Sequence, residues 1–184
     1  MKNIMTITGD LGSGKSTVAR KICEMTGMNY FSTGTIQRQI AAERGIDTLQ
    51  LNKDCKNDKS VDDLIDNRLQ AMNTDGTDNI IIDSRLAWFF VKSAFKIYIT
   101  CSPEVAAQRV SADKIRTNEP GGSRQEILSH LLERQKEENE RFKLFYGADC
   151  HNLDNFDFVI DSSHSTVEEI AAAILKAFEE KQRR

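Results

Sequence analysis

Gly9-Asp10-Leu11-Gly12-Ser13-Gly14-Lys15-Ser16, with Thr17 behind it, fits G-x-x-x-x-G-K-[ST] in full. Its flanks give the pattern meaning. Before it, Ile4-Met5-Thr6-Ile7-Thr8 alternates and is β-branched, as a strand is. After it, Val18, Ile22 and Met25 fall at helical spacing until Gly27. Strand, glycine loop and helix together make a phosphate site. The glycines let the backbone wrap so that successive N–H groups point inward, and the helix N-terminus adds a partial positive charge there. Lys15 is expected to reach the β/γ-phosphates and the Ser16 hydroxyl to take one position on Mg²⁺. The stretch 9–17 is thus expected to bind a nucleoside triphosphate.

The rest of the chain supplies a frame of modest size. Its 184 residues, 39% of them hydrophobic, suit one well-packed domain with small insertions. A net charge of −3 gives no general attraction for nucleic acid polymers or a membrane surface, so the positive charge that phosphates need must be local. Cys23, Cys55, Cys101 and Cys150 are scattered without a C-x-x-C pair, which points to reduced thiols in a cytoplasmic protein. No signal-peptide pattern and no stretch of membrane-spanning length is expected.

Strands alternate with helices throughout. Short strands are expected at 29–31, 79–83, 95–100 and 156–161 in addition to the first. Helices are expected over 35–44, from 103, over 124–145 and over 166–180, with one or two polar helices within 46–73. In that segment Ser60 and Asp63 suggest a capping box with Asp in place of Glu, ahead of an apolar stripe of Leu64, Ile65, Leu69 and Met72. This alternation implies a three-layer α/β/α fold, a five-stranded parallel sheet with helices on both faces. Ligands of such sheets lie beyond the carboxyl ends of the strands, where the loop, Asp83 and Asp161 all fall. The division expected is a single domain. Its core is 1–33, 76–113 and 146–184, its acceptor-binding helical segment 34–75, and its lid with the following long helix 114–145.

Asp83 ends an apolar strand, the place of a second acidic residue that orients Mg²⁺. Four arginines carry the remaining argument. Arg38 and Arg85 follow strand ends, and Arg134 and Arg141 sit seven apart on one face of the long helix. Spacing alone also allows surface pairs, Arg134 with Glu138 and Glu137 with Arg141. Charge favours a binding role. A triphosphate carries about four negative charges and a phosphate monoester about two, while one Mg²⁺ returns two, so roughly four protein cations are needed to hold both ligands.

Four motifs in order over nearly the whole chain resemble the cytidylate kinases among the nucleoside monophosphate kinases, in their short form. Phe31-Ser32-Thr33-Gly34-Thr35-Ile36-Gln37-Arg38 is similar to the monophosphate-binding motif, and Ile82-Asp83-Ser84-Arg85-Leu86-Ala87 to a strand-end motif whose Arg also holds the monophosphate. Arg134, Glu138 and Arg141, with the following Phe145-Tyr146-Gly147-Ala148-Asp149, resemble the helix after the lid, whose arginines clamp the transferring phosphoryl group. Phe158-Val159-Ile160-Asp161-Ser162-Ser163 resembles the last strand and the loop near the nucleotide base. The chain departs from that pattern at Ser84, where the family usually has Gly, at Ser32, a frequent Asp, and at Trp88-Phe89-Phe90, which is more aromatic than expected beside an acceptor pocket.

The resemblance implies a kinase that moves the γ-phosphate of ATP to CMP or dCMP. ATP and Mg²⁺ would sit on 9–17 with Asp161 nearby, and Ser16 and Asp83 would organise the metal. Thr33, Gly34, Arg38 and Arg85 would hold the acceptor. Closure of 114–123 would bring up Arg134 and Arg141 with Arg116. The partners implied are small-molecule nucleotides; a monomer suffices, with a homodimer left open. Two readings stay open beside it: a loop kinase of another small molecule, and a nucleotide-binding homologue with an altered acceptor pocket. A GTPase switch is disfavoured, because Asn52-Lys53-Asp54 does not give N-K-x-D and Asp83-Ser84-Arg85-Leu86 lacks the D-x-x-G glycine.

Overall fold

The computed structural model describes residues 2–112 and 123–183. Five parallel strands lie in the order β2-β3-β1-β4-β5: β1 Ile4–Gly9, β2 Asn29–Ser32, β3 Ile80–Asp83, β4 Phe95–Thr100 and β5 Phe158–Asp161. β1 is central because all six of its residues are buried, so neither of its faces nor its edges can meet water. Alternation along the strands sorts the core into two halves. Met5, Ile7, Ile81 and Ile97 point to the layer of α1 (Lys15–Thr26) and α8 (Val167–Gln182), where Val18, Ile22, Ile170 and Ile174 close the core. Ile4 and Ile82 point the other way. They meet Leu51 of α3 (Thr48–Asp54), Val61, Ile65 and Leu69 of α4 (Ser60–Ala71), and Ala87 of the short α5 (Ala87–Phe90).

α2 (Thr33–Glu43) starts two residues before its expected position, because Ser32 caps it by accepting from the Thr35 N–H. The polar segment resolves into two helices, α3 and α4. The capping box at Ser60 does not form: Lys59 is the cap residue, and the Asp58 carboxylate takes the Ser60 N–H instead. The stripe of α4 is also turned, with Val61 in the core and Leu64 exposed. β5 begins at Phe158, since Phe156 leaves the sheet to pack on Trp88 and Tyr98. α6 (Pro103–Ala112) and the 23-residue α7 (Arg124–Tyr146) complete the fold. A capping box of Ser123 and Glu126 starts α7, and left-handed Gly147 stops it.

β2 and β3 lie on one side of β1, and β4 and β5 on the other. The chain therefore reverses direction at β1, which opens a crevice above the carboxyl ends of β1 and β3. Gly9 and Asp83 end those two strands.

Candidate active site

The loop after β1 is shaped by close backbone approach. A Cβ on Gly9 would collide with the Ile99 carbonyl, and one on Gly12 would lie 2.9 Å from the Ala106 Cβ. Gly14 (φ 81°) caps α1 with no side-chain hydrogen bond, so the first N–H groups of the helix have no side-chain cap of their own to satisfy them. Two loop side chains turn away from the crevice. The Asp10 carboxylate accepts from the Cys101 N–H (2.9 Å), the Tyr98 hydroxyl (2.8 Å) and Gln135 Nε2 (3.2 Å). Leu11 is buried among Ala107, Val110, Ile127 and Leu131 of α6 and α7. Both residues thus contribute backbone to the loop, with side chains that tie it to β4, α6 and α7.

Around the crevice, an open cleft of about 510 Å³ is lined by Leu11, Gly12, Lys15, Ser16, Ser32, Thr33, Gly34, Gln37, Arg38, Asp83, Ser84, Arg85, Arg134 and Glu138. The loop lysine, the strand-end aspartate and three of the four arginines of the charge argument therefore share one space. Ser16 Oγ donates to Asp83 Oδ2 at 2.5 Å. These two hard oxygen donors suit Mg²⁺, which dehydrates reluctantly and takes most of its ligands from water and phosphates. On α2, Arg38 donates to Thr35 Oγ1 at 3.3 Å, and its guanidinium lies beside Gly34.

Glu138 organises the far wall. Its carboxylate accepts from Arg85 Nε (2.7 Å), Arg134 Nε (3.0 Å) and Asn52 Nδ2 (3.2 Å). Burial alone would raise this carboxyl, but Arg85, Arg134, Arg141 and Lys15 bring it down to about 2. Burial opposes the charge on Arg85, and Glu138 together with Cys150 and Tyr98 more than restores it. Arg85 also donates from Nη1 to the Gly9 carbonyl, while its buried Nη2 has no hydrogen-bond partner among the described residues. Trp88 Nε1 and Cys150 Sγ both donate to the Arg85 carbonyl.

The sequence matches the cytidylate kinase-like family over residues 4–164. The chain belongs to that family. As a member, it is an enzyme of the nucleoside monophosphate kinase type. It is 34% identical to the cytidylate kinase of Sulfolobus acidocaldarius over 92% of this chain and 90% of that one. It is also 31% identical over 97% of its length to an S-adenosylmethionine-dependent nucleotide dehydratase of Lacinutrix mariniflava, of which it spans 36%. A shikimate kinase from Bacteroides thetaiotaomicron shares the fold, with TM-score 0.66 at 14% identity over 97% of this chain and 99% of that one.

Two of the expected site residues, Arg141 and Asp161, lie outside the cleft lining. Arg141 does not line the cleft. It is fully buried between α7, α3 and α4, where Nη1 donates to the Asn52 carbonyl (3.0 Å) and Nε lies 3.2 Å from Asp62 Oδ2. The physical reason is register: Arg134 and Glu138 face the crevice, while Arg141, two turns beyond Arg134, faces the helical segment that closes over it. Asp161 accepts from the N–H and hydroxyl of Ser163, an ordinary strand-end turn, and is exposed. The surface pairs anticipated on α7 are absent in that form: Arg134 and Glu138 are a buried pair, and Glu137 pairs with Lys56. Ser32 and Ser84 line the cleft, but Trp88, Phe89 and Phe90 do not. They pack with Phe142, Tyr146 and Phe156 behind it. Arg116 and most of the expected lid, 113–122, lie outside the described residues.

A second cavity, about 650 Å³ and open to solvent, lies beside the loop. Gly12, Ser13, Gly14, Thr17, Arg109, Ser165 and Ile170 are among its lining residues. The sequence reading overlooked Arg109. Its guanidinium donates to Ser162 O (2.6 Å), Ser162 Oγ (3.0 Å) and Ser13 O (3.3 Å), stitching the loop to the end of β5. No local motif marks it; its helical position on α6, opposite the glycine loop, gives it the role.

Proposed function

We propose that this enzyme transfers the γ-phosphoryl group of ATP to the phosphate of a nucleoside monophosphate, with CMP and dCMP as acceptors, giving ADP and the diphosphate. The observation that carries the reading is the shared cleft, with Lys15, Ser16 and Asp83 facing Arg38, Arg85 and Arg134 across one space. The loop backbone and Lys15 bind the triphosphate, and the cavity beside Arg109 is suited to its base. Ser16 and Asp83 would hold Mg²⁺, which when bound neutralises developing charge on the phosphates. Arg38 and Arg85 orient the acceptor phosphate, and Arg134 supplies further positive charge at the point of transfer. Glu138 holds Arg85 and Arg134 in place by their Nε atoms.

A phosphate oxygen is already anionic and needs no strong base. That suits a cleft whose two carboxylates are both engaged, Asp83 with Ser16 and Glu138 with two arginines. ADP release with CMP, dCMP, UMP, AMP and no acceptor tests the proposal. CMP or dCMP should give the fastest turnover. Rates with every nucleotide equal to the blank would sink it.

A further inference from the structure

Tyr30 belongs to the edge strand β2 and plays no part in the anion binding described above. Its hydroxyl donates to Asp83 Oδ2 at 2.8 Å, the same oxygen that accepts from Ser16 Oγ. Two donors thus converge on one carboxylate oxygen. Asp83 Oδ1 makes no hydrogen bond among the described residues, and Asp83 lines the cleft.

The strand register explains how Tyr30 gets there. β2 pairs with β3 so that Tyr30 sits opposite Ile81 and Ser32 opposite Asp83. The phenol must therefore reach two residues along the sheet, about 6.6 Å at the rise of a strand. A tyrosine side chain spans about that distance, and side chains of strands lean along the strand direction. The ring is held from above by Arg20 of α1, whose guanidinium carbon lies 4.5 Å from its centroid, and it packs against the sheet-face core. An ordinary phenol is protonated throughout the neutral range, so the Tyr30 hydroxyl can donate there.

We propose that Tyr30 is a positioning residue for Asp83: its hydroxyl pins Oδ2 and so keeps Oδ1 available to the metal-bound water of the ATP complex. The inference rests on the kinase reading above and extends it to a residue outside the loop and the arginine set. Whenever the Ser16 hydroxyl turns to another partner, Tyr30 remains as the donor that fixes the carboxylate plane.

Binding of a fluorescent ATP analogue, measured with Mg²⁺ and with EDTA, tests the proposal without turnover. Tyr30→Phe should weaken binding about tenfold with Mg²⁺, a loss at the lower end of the scale for one hydrogen bond to a charged group. With EDTA its affinity should stay within about twofold of wild type. In an Asp83→Asn background the same change should have no further effect, because its action runs through Asp83. Tyr30→Phe keeps the ring and its packing, and a melting curve checks the fold. A merely structural role would lower the melting midpoint and weaken both affinities together. If Tyr30→Phe retains the wild-type ratio of the two affinities, Tyr30 has no such role and the kinase reading stands. A wild-type protein indifferent to Mg²⁺ would overturn the metal assignment and this inference together.

Discussion

The two walls of the cleft are built from different materials. The donor wall is backbone: the glycine loop and the N-terminus of α1, held by the turned-away side chains of Asp10 and Leu11. Asp10, Leu11 and the Ser13 carbonyl tie it to β4, α6 and α7. The acceptor side is a chain of buried long side chains, from Arg85 and Arg134 through Glu138 and Asn52 to Arg141 and Asp62. There Arg141 Nε and Nη2 and Asp62 Oδ2 are buried without a hydrogen-bond partner among the described residues. Function and stability are therefore separable on the first wall and entangled on the second.

The largest expected effect tests the separability. Lys15→Ala should lower kcat by roughly 10³-fold or more, as loss of a charge on the transferring phosphoryl does. Its melting midpoint should stay near that of wild type, since the loop is anchored elsewhere. A large drop in the midpoint would break the contrast. Next in size, Arg141→Ala should behave in the opposite way. It strands the buried Asp62 carboxylate, which costs about 3 kcal/mol and lowers the midpoint by several degrees. An Arg141→Ala protein as stable as wild type but inactive would return Arg141 to the phosphates.

The smallest effect is a pH signature confined to the acceptor side. Burial raises the Asp66 carboxyl, which accepts from the Tyr146 hydroxyl, to about 6. A carboxyl raised in the folded state contributes stability that is full below its unfolded value and lost as pH climbs through about 6. Wild type should therefore gain about 1 kcal/mol over Asp66→Asn on going from pH 7 to pH 5. The Glu138 carboxyl, held down to about 2, adds nothing in that window, because its contribution is lost only as pH falls through the ordinary Glu range. Parallel melting curves at the two pH values would sharpen the assignment, and a constant difference between the proteins would remove Asp66 from it.

The contrast between walls also explains what the sequence disclosed. A backbone site needs particular residues at consecutive positions, so the glycines, Lys15 and Ser16 spell it out locally, and the isoleucine run of β3 announces Asp83 at its end. The sheet was legible for the same reason: β4 begins and ends where its apolar run does. Side chains that meet from distant segments leave no such trace. Glu138 gathers partners from 53 and 86 residues away, and Arg109 reaches Ser13 across 96. The helical period puts Arg134 and Arg141 on one stripe, but not which neighbour each stripe position meets, and Arg141 meets α4. Turn chemistry misled in the other direction at Ser60, where Asp58 offered a nearer acceptor than Asp63.

Gln135 of α7 donates to the loop residue Asp10, and Leu11 wedges between α6 and α7. The helix that carries Arg134 and Glu138 is thereby bolted to the glycine ribbon after β1. Any swing of that helix would drag the ribbon with it, so the two behave as a fixed anvil.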